Sequence, residues 1–154
     1  HRLKYGREIH LAGDLGRLAC GAFSSDRRLG VALDEKWPLV PVPLHRLRQM
    51  DRQFNQAEEI SRAIALETGL PVLGILKRVR RTETQTRLSR RQRMENLKGA
   101  FAVRKGWGMG KSAATPGVIL VDDVFTTGST VNECAKVLRK AGVGRVAVLT
   151  VMRG

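Results

Sequence analysis

Short apolar runs alternate along the chain with longer segments whose apolar residues recur every three or four positions. The short runs are typical of buried strands, and the recurrences are typical of amphipathic helices. The runs predict strands at 39–43, 72–79, 100–103, 117–121 and 145–152. The recurrences predict helices at 8–23 and 54–69, a short basic helix after Ser89, and a last helix that ends at Gly142. Strands that alternate with helices, without repeats, indicate an α/β fold with a parallel sheet covered on both faces.

The predicted helices have defined apolar faces and starts. Their apolar residues are Leu11, Leu15, Leu18 and Ala22 in the first, Phe54, Ala57, Ile60 and Ile64 in the second, and Val131, Cys134, Ala135, Leu138 and Ala141 in the last. Capping boxes are predicted for Ser89 with Gln92 and for Thr130 with Glu133. Segments 30–38 and 106–117 are predicted connectors, and 82–88 a mobile polar loop. Pro41 and Pro43 place the end of their strand at a loop or a sheet edge.

The segment 117–130 combines a buried strand, two acids, a hydroxyl-rich turn and the start of a helix. Such a unit directs backbone N–H groups and the positive end of the helix at one point, which suits a phosphate. Gly128 lets the backbone approach the anion, and the hydroxyl donors around it are Thr126, Thr127, Ser129 and Thr130. Asp122 and Asp123 would repel a phosphate but accept hydrogen bonds from the two hydroxyls of a ribose. A sugar 5′-phosphate with vicinal hydroxyls therefore matches the whole segment.

The alternative is purely structural, with acids that end a strand and hydroxyls that cap a helix. Any one of these residues alone would favour that interpretation, but the ordered set favours a ligand site because its strand, loop and helix contexts agree. Thr130 is the exception, since the predicted capping box occupies its hydroxyl. In parallel α/β folds, ligands bind beyond the carboxyl ends of the strands, where we expect the 122–130 loop to lie.

Length and composition narrow the class of protein. The 154 residues, 42% of them apolar, indicate one soluble domain with a substantial core. No apolar run reaches the length of a membrane span and no secretory signal pattern opens the chain, so we expect a cytoplasmic protein without membrane insertion. Cys20 and Cys134 lack partners at zinc-ligand spacing and are expected to be buried, reduced thiols. Gly110, Lys111 and Ser112 resemble the end of a P-loop, but Lys105 stands where its first glycine is needed, which excludes an ATPase.

The formal net charge of +14 implies anionic partners. Segment 77–105 alone carries eleven Lys or Arg against two acids, Glu83 and Glu95. A solvated basic face is the simpler explanation, and a surface that handles phosphates or nucleic acid is the alternative that this concentration favours. Four arginines fit either explanation equally: Arg87, Arg90, Arg91 and Arg93. Aromatic residues make up only 5% of the chain, and we expect Tyr5, Trp37 and Trp107 to pack rather than to stack on bases.

The segment 117–130 resembles the 5-phosphoribosyl-1-pyrophosphate (PRPP) signature of type I phosphoribosyltransferases. Further matching residues are 40–46 with 54–57, then Arg81, Thr82, Gln85, Leu88, Ser89, Arg93, Asn96 and 99–101, and finally 148–154. Together they resemble the ComF family, phosphoribosyltransferase-like proteins linked to bacterial competence and DNA uptake, from about residue 3 to 154. This family usually begins with a four-cysteine zinc ribbon, which the sequence lacks, so we expect a fragment or a shortened member. Gln53 stands where the family favours glycine before Phe54.

The resemblance implies a type I phosphoribosyltransferase fold with a small N-terminal hood at 1–38 and a core at 39–154. It also implies PRPP as a ligand, with Mg²⁺ carried by PRPP near Asp122 and Asp123 rather than by direct protein ligands. The 5′-phosphate would lie over 126–130 and the ribose hydroxyls against the acids. The pyrophosphate would face Leu44, His45 and Arg46, although a solvated loop position explains His45 at least as well. The residues expected to close over the site are Arg78, Arg81, Thr82 and Gln85.

Two functions of different classes follow from these residues. One is a Mg²⁺-dependent glycosyltransferase that moves a phosphoribosyl group from PRPP to a nitrogen acceptor such as a nucleobase, with Asp122, Asp123 and Arg81 as catalytic residues, in nucleotide salvage or DNA uptake. The other is a PRPP-sensing or single-stranded-DNA-binding adaptor of the DNA uptake machinery, which performs little chemistry and meets its partners through segment 77–105. The acid pair and the predicted loop favour catalysis, and the basic segment favours the adaptor.

Overall fold

A computed structural model describes residues 14, 16–43, 55–80, 89–107, 116–125 and 128–153 of the chain. Its helices are α1 Ala22–Ser25, α2 Arg27–Asp34, α3 Gln56–Thr68, α4 Arg90–Leu97 and α5 Ser129–Lys140. Its strands are β1 Leu39–Pro41, β2 Leu76–Arg78, β3 Phe101–Val103, β4 Val118–Phe125 and β5 Val146–Arg153. Residues 16–20 are also helical and precede a turn at Gly21.

Among the described residues, three parallel strands form the main sheet in the order β1-β4-β5. In its register, Leu39 lies opposite Ile119, and Val118 lies opposite Val146. β1 is an edge strand of this sheet, as its prolines predict, and a single bridge joins Leu39 to Val72. β2 and β3 form a separate antiparallel pair. The predicted α/β class with a mainly parallel sheet is therefore confirmed.

The first half of β4, Val118–Val121, is buried on both faces, which explains why these four residues are continuously apolar rather than alternating. Ile119 and Val121 pack on one face in a cluster with residues of α1, α2 and α3. Val118 and Leu120 pack on the other face with α5 and the β2–β3 pair. The predicted faces of α3 and α5 are confirmed at seven positions, which are all buried: Ala57, Ile60, Ile64, Val131, Cys134, Ala135 and Leu138. Ala141, predicted on the same face of the last helix, is only half-buried and is the C-cap residue of α5.

The ends of α3 and α4 also follow the sequence. α3 ends at Gly69, whose φ of 75° lies in the left-handed region that glycine adopts without strain. α4 begins with the predicted capping box, in which the Gln92 N–H donates to the Ser89 hydroxyl over 3.2 Å. In return, the Ser89 N–H donates to the Gln92 side chain over 2.8 Å. The short basic helix is thus confirmed.

The predictions for the first 38 residues were partly wrong. The connector predicted at 30–38 is largely helical, because α2 continues to Asp34. The carboxylate of Asp26 starts α2 by accepting from the N–H groups of Arg28 and Leu29, a cap that the apolar pattern did not indicate. Leu18 is 76% exposed and does not belong to a buried face, whereas Ala19 and Phe23 are buried. Residues 8–13 and 15 of the first predicted helix lie outside the described residues.

The strand predicted at 72–79 needs correction, whereas the packing predicted for Trp37 and Trp107 is confirmed. The strand predicted at 72–79 is reduced to β2, because only Leu76–Arg78 finds a partner strand beyond the isolated bridge at Val72. Trp37 packs in the first core cluster, and Trp107 is half-buried against the second, as expected. Tyr5 lies outside the described residues.

Both cysteines are free thiols, and burial raises the pKa of each. Cys134 is buried as expected, whereas Cys20 is only half-buried. Within the described ranges, no cluster of three or more His, Cys, Asp or Glu is placed to hold a metal ion. The same part of the chain contains no helix with the length and apolar character that crossing a membrane requires.

Candidate functional site

β4 carries the acid pair to the carboxyl end of the parallel sheet. The strand continues through Asp122 and Asp123 to Phe125, because its pairing with β5 continues from Asp122 opposite Thr150 to Phe125 opposite Arg153. The sequence prediction ended the strand at 121 and placed both acids in a loop, which is wrong. Backbone pairing with β5, rather than apolar character, sets the length of β4. The acids are therefore held on a rigid element of the sheet.

Asp122 has an unusual electrostatic environment. Burial is the largest cause that raises the pKa of Asp122 to about 8. The other two causes are a hydrogen bond that the protonated Asp122 donates to the Asp123 side chain and the charge of that side chain. The Asp123 backbone N–H, which donates to the Asp122 carboxylate over 2.9 Å, and the charge of Arg78 act in the opposite direction. Asp122 in turn contributes to the raised pKa of Cys134, so it faces the α5 side of the sheet. This carboxyl group can therefore exchange a proton near neutral pH.

The N-terminus of α5 lies directly after the strand and its short connection. Gly128 is the N-cap residue, with a φ of 79° that glycine adopts without the steric cost paid by other residues. Ser129 is buried at 7% exposure, and Thr130 is half-buried. No side chain caps this terminus within the described residues. The N–H groups of the first helical turn lack partners inside the helix and can serve an anion.

The capping box predicted for Thr130 and Glu133 is wrong. Thr130 lies inside α5 because the helix begins one residue earlier, at Ser129. The Glu133 carboxylate instead accepts from the Gly99 N–H over 3.4 Å and lies 3.9 Å from the Lys136 ammonium. The Thr130 hydroxyl is consequently not taken up by the predicted cap.

Arg78 is placed differently from the prediction. The family resemblance grouped it with loop residues that close over the site, but it is the last residue of β2, within the strand that the apolar pattern predicted, and is half-buried. Its guanidinium lies over the Phe101 ring, 5.2 Å from the centroid, and its charge acts on both Asp122 and Cys134. Strand pairing between β2 and β3 holds this side chain beside the acid without any loop movement.

Asn55 is a residue whose role sequence reasoning missed. Its side-chain oxygen accepts from the N–H groups of Ala57 and Glu58 over 2.9 and 3.4 Å, which caps α3. Its amide donates to the Val42 carbonyl over 3.0 Å. This buried side chain thus joins the end of β1 to the start of α3, on either side of segment 44–54. An Asn directly before an apolar helical repeat was the available signal.

The remaining predicted site residues lie outside the described residues. They are Leu44, His45, Arg46, Arg81, Thr82, Gln85, Thr126 and Thr127. The structure places Arg78 and Asp123 beside Asp122, and Gly128 and Ser129 follow along the chain at the start of α5. The roles of these residues in binding stay predictions.

Comparison with known proteins finds relatives named for competence and for DNA utilization. Competence protein F of Haemophilus influenzae is 44% identical over 151 residues, which cover 96% of this chain and 63% of that protein. The DNA utilization protein YhgH of Escherichia coli (strain K12) is 34% identical over 158 residues, 99% of this chain and 65% of that protein. Competence protein ComFC of Streptococcus pneumoniae is 28% identical over 119 residues, 77% of this chain and 49% of that protein. The chain thus spans about two thirds of the length of the first two relatives, at 63% and 65%.

Among solved structures, the allosteric regulatory enzyme of purine biosynthesis superposes with a TM-score of 0.51. The match covers 91% of this chain and 25% of the enzyme chain at 23% identity, so it shows the fold alone. No protein-family model matches the chain. The fold is that of type I phosphoribosyltransferases. Over the length that it shares with these relatives, the chain belongs to the ComF family of phosphoribosyltransferase-like proteins.

Proposed function

We propose that this chain binds PRPP and transfers its phosphoribosyl group to a nitrogen acceptor in the cytoplasm. The observation that carries the proposal is the order of groups along β4 and α5. Asp122 and Asp123 lie at the carboxyl end of the sheet, and the N-terminus of α5, for which the described residues supply no side-chain cap, begins at Gly128 after four intervening residues. A phosphate at the helix terminus and ribose hydroxyls at the acids would be satisfied together.

In the proposed reaction, the bond between C1 of the ribose and the pyrophosphate oxygen breaks, and its electron pair leaves with the pyrophosphate. The lone pair of the acceptor nitrogen forms the new bond to C1, and the nitrogen then releases its extra proton. Asp122 and Asp123 would hold the ribose so that C1 faces the acceptor. Arg78, which β2 fixes beside Asp122, would limit the repulsion between the two carboxyl groups.

Magnesium fits this site as a companion of the substrate. Two adjacent carboxyl groups, with no larger cluster of metal-binding side chains in the described ranges, do not form a protein cage. Mg²⁺ commonly binds through one or two carboxylates together with substrate phosphates, which these residues allow. When bound, it would neutralise charge on the leaving pyrophosphate.

Turnover tests the catalytic proposal directly. The full chain, PRPP and Mg²⁺ are incubated with a panel of nucleobases and ammonia, and pyrophosphate release is measured. We expect release that depends on one acceptor and falls at least roughly a hundredfold in Asp123→Asn, because substrate orientation is lost. The control is Asp34→Asn, at an exposed acid on α2. If the parent chain binds PRPP but none of the acceptors in the panel leads to pyrophosphate release, the catalytic proposal is contradicted.

A second candidate function is an adaptor that binds single-stranded DNA. It is favoured by the described part of segment 77–105, where Lys77, Arg90, Arg91, Lys98 and Arg104 are exposed. The names of the relatives agree with such a role. If the chain binds DNA through phosphate contacts, the logarithm of its affinity should fall by about 0.7 per contact for each tenfold rise in salt concentration. This binding should survive the double substitution Asp122→Ala/Asp123→Ala. Fluorescence anisotropy with an oligothymidine at several salt concentrations measures the affinity of the parent and of the double variant. Binding that does not depend on salt would contradict the adaptor function.

A further inference from the structure

A groove of about 400 Å³ runs along one side of α5, between α4 and β5. Gly128 and Ser129 lie at the end next to the candidate phosphate site, and Arg139 lies toward the other end of α5. The helix rises by about 1.5 Å per residue, so the groove extends over roughly 16 Å. This length matches about three turns of a helix or about five residues of an extended peptide.

The floor of the groove is aliphatic. Val131 and Ala135 form its buried part, at 6% exposure each, and Val146 lines it from β5. Met94 on α4 and Val148 on β5 are 43% and 41% exposed, and both line the same groove. Exposed apolar side chains that meet in one concave site mark surfaces for association. Methionine is a flexible side chain that adapts to different apolar partners.

The charges around this floor have one sign. Arg90 at the start of α4 and Arg139 near the end of α5 are exposed and line the groove. In the described part of the chain, neither Asp nor Glu lines it. A fitting occupant therefore combines apolar side chains for the floor with carboxylates for the two arginines.

Two other occupants fit less well. The groove has no aromatic lining in the described ranges, so it offers no platform on which nucleic-acid bases could stack. A second copy of this chain would bring together two molecules with a formal net charge of +14 each. Their mutual repulsion opposes self-association through a basic groove.

We propose that this groove is a docking site for an acidic amphipathic peptide segment of a partner protein. The apolar side chains of the segment lie on Met94, Val131 and Val148, and its carboxylates pair with Arg90 and Arg139. The mode is that of a short helix or strand laid into a groove. Gly128 and Ser129 at one end of the groove also belong to the candidate phosphate site, but the proposed peptide contacts do not involve them or the acid pair, so the proposal does not depend on PRPP binding.

Selection of peptides on the full chain tests the proposal. A phage-displayed library of random 12-residue peptides is selected on the protein, and enriched peptides are measured by fluorescence anisotropy. We expect sequences that combine Leu, Ile or Phe with Asp or Glu. Their affinity should fall roughly tenfold or more in Met94→Glu and in Arg90→Glu, as for central contacts of an interface.

Matched variants control for general changes in charge and surface. Arg27→Glu changes the first residue of α2 as Arg90→Glu changes the first residue of α4, and Leu66→Glu changes an apolar residue of α3 that is 89% exposed. Both controls should bind the peptides as the parent does. An acid in the first helical turn complements the helix dipole, so Arg90→Glu keeps the test valid if Met94→Glu fails to fold.

Three results would overturn the proposal. The first is the absence of any enriched acidic and apolar pattern. The second is enriched peptides whose affinity is the same in the parent, Met94→Glu and Arg90→Glu. The third is an oligothymidine that binds the parent and loses its affinity in Met94→Glu but not in Leu66→Glu, which would assign the groove to nucleic acid.

Discussion

At the scale of single residues, Asp122 links the architecture of the sheet to the chemistry of the site. Its backbone is fixed by pairing with β5, and its carboxyl group faces Asp123, Arg78 and Cys134. Burial is the largest cause of its raised pKa. A site that binds ribose hydroxyls and a charged substrate uses this acid best when ionised, so ligand binding below pH 8 would release a proton.

The raised pKa of Asp122 predicts how stability depends on pH. The folded state keeps the proton up to about pH 8, whereas the unfolded state loses it near the ordinary pKa of 3.8. The contribution of this group to stability is therefore complete below pH 3.8 and is lost as pH rises to about 8. The slope is at most about 1.4 kcal/mol per pH unit. We expect Asp122→Asn to gain stability over the parent between pH 5 and pH 8, measured by urea unfolding.

The neighbouring charges set the controls for this measurement. Asp123 and Arg78 are kept in Asp122→Asn, so the difference reports the titration of the Asp122 carboxyl group together with its interaction with Asp123. Asp34→Asn, at an exposed position, should follow the pH profile of the parent. Identical pH profiles of the parent and Asp122→Asn would show that the carboxyl group titrates normally.

At the scale of elements, the connection from β1 to α3 depends on one buried side chain. Asn55 satisfies helix N–H groups with its oxygen and the Val42 carbonyl with its amide. The bond from the Ala57 N–H and the bond to the Val42 carbonyl are both buried, where an unsatisfied polar group is costly. Asn55 therefore joins the two ends of segment 44–54, in which the family resemblance assigns Leu44, His45 and Arg46 to pyrophosphate binding.

Replacement of Asn55 separates its two roles. Asn55→Ala removes the cap and the bond to Val42, and we expect a loss of about 2–4 kcal/mol in the free energy of unfolding. Asn55→Ser restores an acceptor for the helix N–H groups but is too short to reach Val42, and should regain about 1 kcal/mol. Urea unfolding measures both. Equal stabilities of the Ser variant and the parent would show that the bond to Val42 contributes nothing.

The elements also show what the sequence could predict. Apolar periodicity identified α3, α5 and the three strands of the main sheet, because their buried faces have regular spacing. It failed where polar contacts decide: the Asp26 cap extended the helical region to Asp34, and pairing with β5 drew Asp122 and Asp123 into β4. The order of acids, glycine and hydroxyls was visible in the sequence. The position of Arg78 beside Asp122 was not, since it depends on packing between β2 and β4 that no local pattern encodes.

At the scale of the whole molecule, α5 separates two surfaces. Its N-terminus follows the acid pair of β4 along the chain, and one of its sides forms the groove with α4 and β5. The other side packs Cys134 and Leu138 into the core. The formal net charge of +14 favours anionic ligands at both surfaces, and salt would weaken binding at each. A PRPP site and a partner site on the same helix would suit a protein that joins nucleotide chemistry to a larger assembly.

The central claim is that the acid pair and the α5 terminus bind PRPP, and thermal unfolding of the full chain tests it most directly. Melting is measured with and without PRPP and Mg²⁺, for the parent, Asp123→Ala and the control Asp34→Ala. Ligand at about one hundred times its Kd should stabilise the parent and the control by about 2.7 kcal/mol, or roughly 5–10 °C. Asp123→Ala should remain folded and show no shift. An unchanged melting temperature in the parent, or an equal shift in folded Asp123→Ala, would contradict the proposed site.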